Sequence, residues 1–459
     1  MYDFDVLFIG SGHACNHGAI ALLMAGKKVA MVEEYKYGGT CTNFGCDAKI
    51  LLDGPFEYNE GLSRYEDLGI TKKSEIAWDR LMAYKKAHIG AFSPMLKNVF
   101  SQMGINVIEG HAEFKDAHTV SVEGKDYSAE YIVIGSGEHA LKANIPGNEY
   151  IKNSTDFLDL DTMPERIAFV GAGIISMEFA SIAAGLGKKP IIIHRNERAL
   201  KQYPEKYVAK IIEKMKKEGV EFAFNETLSA IEKKGEGYLI KLTSGREIEA
   251  DYVLEATGRE ANTEGMNLAG IGVEYSSKGI KVDEYMQTSV KNIYASGDCV
   301  DKKLPRLTPT AEFESNYIAD RILGLDTEPI CYPAIPNLVF TLPRIAQTGI
   351  TLSEASKEPE KYSIIEVPYG AQNEWVNNRE TDIEISYVLD NEGYLAGAAI
   401  YGCEGGQWID FLTIIINKKI SGFELRKMIF AFPTQTYSLI SGLVPLMIQK
   451  AVPNSFAKI

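Results

Sequence analysis

Histidine is missing from more than half of the chain. The seven histidines are His13, His17, His88, His111, His118, His139 and His194, and none follows position 194 of the 459 residues. The C-terminal half therefore has no imidazole of its own to offer as a general base or metal ligand. Cysteine is sparse as well: Cys15, Cys41, Cys46, Cys299, Cys331 and Cys403. That excludes a disulfide-stapled secreted scaffold, and only Cys41 and Cys46 stand close together. No uninterrupted apolar run reaches transmembrane length, and the opening MYDFDVLFIG carries no basic n-region, so a soluble, cytoplasmic protein is expected. Positive charge is in deficit, with a net charge of −14 and a pI of about 5.2. Such a surface weighs against nucleic acid or an anionic membrane as partner. At roughly 100–200 residues per domain, the length suggests about three domains.

The first 35 residues read as strand, turn, helix and strand: FDVLFIG is apolar, GSGHACNHG is glycine-bearing, AIALLMAG is helical and KKVAMVEE is a second strand. A long helical stretch is predicted over roughly 75–103, followed by mixed strands up to IVIGSG. The plan returns at RIAFVGAG, IISMEFASIAAGLG and KPIIIHR, so the chain contains two βαβ units of dinucleotide-binding type. From about residue 333 strands (YSIIEV, IEISYVLD, YLAGAAIYG) precede helices, which suggests an α+β domain.

Three motifs carry chemistry. Gly10-x-Gly12 follows a strand and opens a helix, with Glu33 at the end of the next strand. The glycines admit a pyrophosphate, the helix start faces the anion and the carboxylate grips ribose hydroxyls. Cys15 stands where the fingerprint has its third glycine, and an ordinary tight turn is the alternative. Gly171-x-Gly173-x-x-Ser176 repeats the pattern, but its second strand ends in His194-Arg195, followed by Arg198 and Lys201. Cations there suit the 2′-phosphate of NADP; the alternative is a solvated basic loop. Cys41-Thr-Asn-Phe-Gly-Cys46, preceded by Gly38-Gly39-Thr40, is a thiol pair able to cycle between dithiol and disulfide, or else two buried structural cysteines.

The segment GGTCTNFGC resembles the redox-active stretch of the flavoprotein pyridine nucleotide-disulfide oxidoreductases, the family of glutathione reductase, dihydrolipoamide dehydrogenase and mercuric reductase. VIEGHAEF, GSGE, EATGREANT, IYASGDC, LTPTA and VFTLPRIAQTGIT follow in family order, so the resemblance spans nearly the whole chain. It implies an α/β fold of two Rossmann-like dinucleotide-binding domains and a C-terminal α+β dimerisation domain. Residues 1–150 and 261–332 would bind FAD, 151–260 NADPH, and 333–459 would form the interface of a homodimer. Gly10, Gly12, Glu33, Gly39, Thr40, Lys49, Ala112, Gly137, Asp298 and Thr308 would hold FAD. Gly171, Gly173, Arg195, Lys201 and Gly258 would hold NADPH. Cys46 would be the thiol in charge-transfer contact with flavin, Cys41 the interchange thiol, and Lys49 with Glu178 the ion pair beside flavin N5. Electrons would pass from NADPH through flavin and the Cys41–Cys46 disulfide to a small-molecule acceptor. No residue set is assigned to a metal.

Two departures stand out. Where the family places a His-Pro-Thr segment with a glutamate five residues on, this chain has Phe432-Pro-Thr and Tyr437. The thiol that would lose its base is Cys41, a loss typically worth about 10²–10⁴-fold in general acid–base catalysis. Tyr437 could donate a proton, or simply pack in a core or seam. Cys46-Asp-Ala-Lys49 is also one residue shorter than the usual Cys-x-Pro-x-Lys, and Asp47, if close, would raise a thiol pKa. The C-terminal segment NSFAKI has no cysteine pair, which disfavours mercury as acceptor. The leading expectation is an acceptor that is a disulfide or other small electrophile, not glutathione disulfide. The alternatives are an NAD(P)H diaphorase or oxidase with idle thiols, and a non-catalytic flavoprotein sensor.

Overall fold

The structure is a computed structural model that describes residues 1–72 and 74–452. The chain divides into two units: residues 1–52, 77–163 and 254–331 form the first, and residues 53–76, 164–253 and 332–459 the second.

The first unit is organised by a parallel sheet. Strand Phe4–Ile9 lies at its centre, with Val6 opposite both Val29 of Val29–Glu33 and Tyr131 of Lys125–Ile134. Strand Asn106–Glu109 extends one side, and Ile293–Ala295 pairs parallel with Lys125–Ile134 through Ile293 and Ile132. Nearly every residue of the central strand is buried, as expected of a parallel strand covered on both faces. Strands Ala112–Phe114 and Thr119–Val122 run antiparallel from the long strand. Helices His13–Met24 and Thr308–Leu323 pack together tightly. An added Cβ at Gly18 would stand 2.5 Å from Ser315 O, and Gly18 N donates to Ser315 Oγ at 2.9 Å.

The second unit repeats the plan with parallel strands Arg166–Val170, Lys189–His194 and Glu221–Phe224. The strands after residue 336 form a five-stranded antiparallel sheet, followed by helices Gly405–Asn417 and Gln435–Ala451. The expected strands-then-helices order is what the chain adopts. Trp375, Tyr369, Tyr387 and Trp408 fill the core of this part.

Two local readings change. The first helix begins at His13, because Gly12 already serves as its extended N-cap (φ −70°, ψ −176°), so the glycine turn is shorter than the sequence suggests. The stretch 75–103 is two helices, Trp78–Gly90 and Phe92–Met103. Pro94 explains the break: in a continuous helix its ring would clash with the carbonyl four residues earlier, at Gly90. Among the described residues no helix is long and apolar enough to cross a membrane.

Candidate active site

In the first unit, the strand that ends at Ile9 leads into Gly10, whose φ is +107°. An added Cβ there would lie 2.5 Å from Gly135 O, so no side chain fits without displacing backbone. Gly39 (φ +67°) approaches the same turn: its Cβ would lie 2.8 Å from Gly12 Cα. The helix that starts at His13 has no side-chain cap, which leaves its first amides for an anion. Glu33 Oε2 accepts hydrogen bonds from Ser11 N (3.0 Å) and Ser11 Oγ (2.6 Å), and Oε1 accepts from Tyr35 N (2.9 Å). Burial pushes the Glu33 carboxyl upward, and the bonds from Ser11 and Tyr35 oppose it.

These residues line a cavity of about 550 Å³. Of the positions expected to hold FAD, Gly10, Gly12, Glu33, Gly39, Thr40, Ala112, Gly137, Asp298 and Thr308 all reach it, and so does Cys41. Lys49 is not on its lining. A pocket built of close-set glycines, an uncapped helix start and a buried carboxylate fits a dinucleotide with a pyrophosphate. Three supports were not visible in the sequence reading. Ser11 holds Glu33. Gly135 makes room for Cys15, whose sulfur a Cβ at Gly135 would strike. Glu314 takes Gly297 N on Oε2 (2.7 Å) and Lys302 Nζ on Oε1 (2.6 Å), fixing the turn that carries Asp298.

Cys41 lies in the short helix Gly39–Phe44, and Cys46 opens the helix Cys46–Ser63. Gly45 between them has no room for a side chain: its Cβ would stand 3.1 Å from Thr40 O and 3.2 Å from Cys41 Cα. The two sulfurs face each other closely enough to share a hydrogen bond. That bond, with burial, pushes Cys41 well above the ordinary thiol range. The same bond holds Cys46 down at about 6; burial opposes it, while Thr308 and Lys49 assist. Cys46 Sγ lies 3.6 Å from Thr308 Oγ1. Asp47 acts upward on both thiols, the direction its charge requires, but it is outweighed at Cys46. The position of Cys46 at a helix start favours its thiolate further.

In the second unit Gly171 (φ +101°) and the N-cap Gly173 lead into helix Ile174–Gly185. Ser176 and Glu178 are buried on this helix, and Glu178 Oε1 accepts Phe340 N at 2.8 Å. Strand Lys189–His194 ends where Glu33 ends its counterpart, and His194 Nδ1 accepts Ala172 N at 3.3 Å. Ala172 occupies in this turn the place of Ser11 in the first, so an imidazole takes over the contact a carboxylate makes there. Burial, and then the charge of Arg195, lower the His194 pKa. Arg195 and Lys201 are exposed. Arg198 is already engaged, donating to Tyr203 O and pairing with Glu205 at 3.6 Å. Gly258 belongs to the first unit, where its carbonyl accepts Leu141 N at 3.1 Å. Phe432 and Tyr437 stack edge to face at 5.1 Å, and Tyr437 N is held by the N-cap Thr434.

The sequence profile described as "Pyridine nucleotide-disulphide oxidoreductase" matches residues 4–315, and the dimerisation-domain profile of the same name matches 335–439. Glutathione reductase of Burkholderia cepacia is 30% identical over 440 residues, covering 94% of this chain and 97% of that one. Mercuric reductase of Staphylococcus aureus is 32% identical over 426 residues, covering 90% of this chain and 77% of that one. Among solved structures, the HOCl-induced flavoprotein disulfide reductase RclA of Escherichia coli has the same fold, with a TM-score of 0.86, 23% identity, and coverage of 96% of this chain and 99% of that one. The glycine cradle, the Cys41–Cys46 pair and these matches place the chain in the class I pyridine nucleotide-disulfide oxidoreductases, FAD-dependent enzymes that use pyridine nucleotides.

Proposed function

We propose that the protein carries electrons from NADPH through FAD and the Cys41–Cys46 couple to a small disulfide or other electrophilic acceptor that is not glutathione disulfide. Residues 1–150 and 261–332 hold FAD, 151–260 the nicotinamide nucleotide, and 333–459 pair two chains into a homodimer. The observation that carries this reading is the thiol pair at the glycine-built cavity: Cys41 lines it with Thr308, and Cys46 Sγ lies 3.6 Å from Thr308 Oγ1 and is the thiol drawn downward.

Gly10, Gly12, Gly39, Glu33 and Asp298 provide the backbone approach and the carboxylates for FAD, which when bound supplies a two-electron relay between nicotinamide and dithiol. The chain's own residues do the rest. Cys46, supported by Thr308 and Lys49, is the standing thiolate. Cys41 keeps its proton on the side of the Cys46 sulfur. Once Cys41 loses that proton, its sulfur bonds to one sulfur of the acceptor and the other sulfur departs as a thiolate. Cys46 then attacks Cys41, closes the disulfide and releases the second acceptor half. One disulfide is reduced, one is formed, and the Cys41 proton ends on a product thiol. With Phe432 where the family has its imidazole, an acceptor whose leaving thiolate needs no proton is favoured. NADPH is supported by the exposed cations Arg195 and Lys201 beyond a strand that ends in His194 where its counterpart ends in the acid Glu33.

Rapid mixing with NADPH tests the reading. A long-wavelength thiolate–flavin band forms in the native enzyme and disappears in Cys46→Ser; a band that survives in Cys46→Ser overturns it. Arg195→Glu lowers kcat/KM for NADPH about tenfold or more relative to NADH, the size of one charge-assisted contact. A second reading, a diaphorase or oxidase with idle thiols, is favoured by Phe432 alone. Unchanged turnover of the true acceptor by Cys41→Ser would select it.

A further inference from the structure

His13 and His17 stand one helical turn apart, at the start of helix His13–Met24, and so project from one face. Their rings are stacked with centroids 5.4 Å apart. His13 Nδ1 lies 3.1 Å from His17 Nε2, and His17 Nδ1 lies 3.1 Å from Glu312 Oε1 on helix Thr308–Leu323. One ligand atom from each of His13, His17 and Glu312 falls within 4.8 Å of the other two.

We propose that His13, His17 and Glu312 form a binding site for a divalent late first-row transition-metal ion of the zinc class, on the first unit beside the redox thiols. The donor set carries the argument. Two imidazoles and one carboxylate are the ligands of borderline ions, not of calcium or magnesium, which prefer all-oxygen sets. A tetrahedral ion with bonds of roughly 2.0–2.2 Å spaces its ligand atoms about 3.3–3.5 Å apart. The 3.1 Å contact of His13 Nδ1 with His17 Nε2 already approaches that spacing, and one ligand atom of each of the three residues lies within 4.8 Å of the other two, so small side-chain rotations would close the set around one ion. All three side chains are partly exposed, so an ion can enter and the fourth position stays open to solvent.

The frame beneath the site is rigid. Gly18, next to His17, meets Ser315, three residues beyond Glu312, with the helix backbones in close approach. The two helices therefore hold the imidazoles and the carboxylate in register, as a preformed metal site requires. His13 shares its cavity lining with Cys41 and Thr308. The ion would sit on the thiol side of that cavity without using the thiols as ligands. None of this depends on which acceptor the enzyme reduces.

Equilibrium dialysis against Zn²⁺ tests the site, using FAD-loaded enzyme with Cys41 and Cys46 oxidised to the disulfide so that they cannot bind the ion. The native enzyme should bind one Zn²⁺ per chain. His13→Ala and His17→Ala should each weaken binding at least tenfold, measured per FAD-loaded chain, and His17→Ala should do so with FAD content unchanged. His17→Gln keeps a side chain able to bond Glu312, so it separates a lost ligand from a loosened helix pair; it too should lose Zn²⁺. Three results would overturn the proposal: no Zn²⁺ bound to the oxidised enzyme, equal binding by the histidine variants, or binding that appears only when the thiols are reduced.

Discussion

Cys46 is the thiol of the pair that is drawn downward, and its proton affinity is open to direct measurement. In the reduced enzyme its thiolate absorbance should titrate with a midpoint of about 6, and Thr308→Val should move that midpoint upward. The sign for stability follows. A thiol lowered from 9.0 to about 6 stabilises the fold fully above the unfolded value, and that contribution fades as pH falls through about 6. A midpoint near the ordinary thiol value would remove the asymmetry on which the proposed function stands. Cys15 offers a second test at this scale. Its buried sulfur occupies the space that Gly135 leaves, so Gly135→Ala should cost about 1–3 kcal/mol by overpacking, read as a lower melting temperature with FAD bound. Cys15→Gly in the same chain should restore most of it. Single residues were legible in the sequence where spacing carries chemistry: Gly10, Gly12, Glu33 and Cys41 all line one cavity, and Cys46 bonds to Cys41. Gly135 and Ser11 were not, because their roles depend on what stands opposite them, which no local pattern reports.

Among the elements, the short turn Gly297–Cys299 is fixed from below by helix Thr308–Leu323. Glu314 is fully buried, bonded at once to Gly297 N and Lys302 Nζ. Removing one partner of a buried pair typically costs about 3–5 kcal/mol because the other charge is left unpaired. Glu314→Gln should therefore melt well below the native protein and hold FAD more weakly. Lys302→Met paired with Glu314→Gln should recover stability relative to the single variant, and failure to recover would argue that Gly297 N is the contact that matters. Most elements were legible because their apolar periodicity and glycine caps are local signals. The break before Pro94 could have been read from the proline itself. The His13–His17 pair is not legible in the sequence, because the glycine-bearing segment reads as a turn up to Gly18, and in a turn a four-residue spacing has no meaning. Their carboxylate partner Glu312 lies on a distant helix, beyond any sequence window.

For the whole molecule, one run of exposed apolar residues lies near the end of the second unit. Met428, Ile429 and Phe432 are 48%, 98% and 69% exposed, within the stretch matched by the dimerisation profile. Exposed hydrophobic side chains this close together mark an association surface. Ile429→Glu should shift the protein toward monomer in sedimentation velocity and lower activity together with it; a variant that stays dimeric would place the seam elsewhere. The order of the chain through its two units has a consequence for how the protein is made. Strand Ile293–Ala295 completes the parallel sheet against Lys125–Ile134, yet all of residues 164–253 are synthesised between them. During translation the first unit must wait with the apolar edge of Lys125–Ile134 uncovered while the second unit's middle segment emerges. Unpaired strand edges of this kind invite aggregation. A gene truncated before residue 293 should yield an insoluble chain, whereas synthesis past the Thr308–Leu323 helix should yield a product that retains FAD.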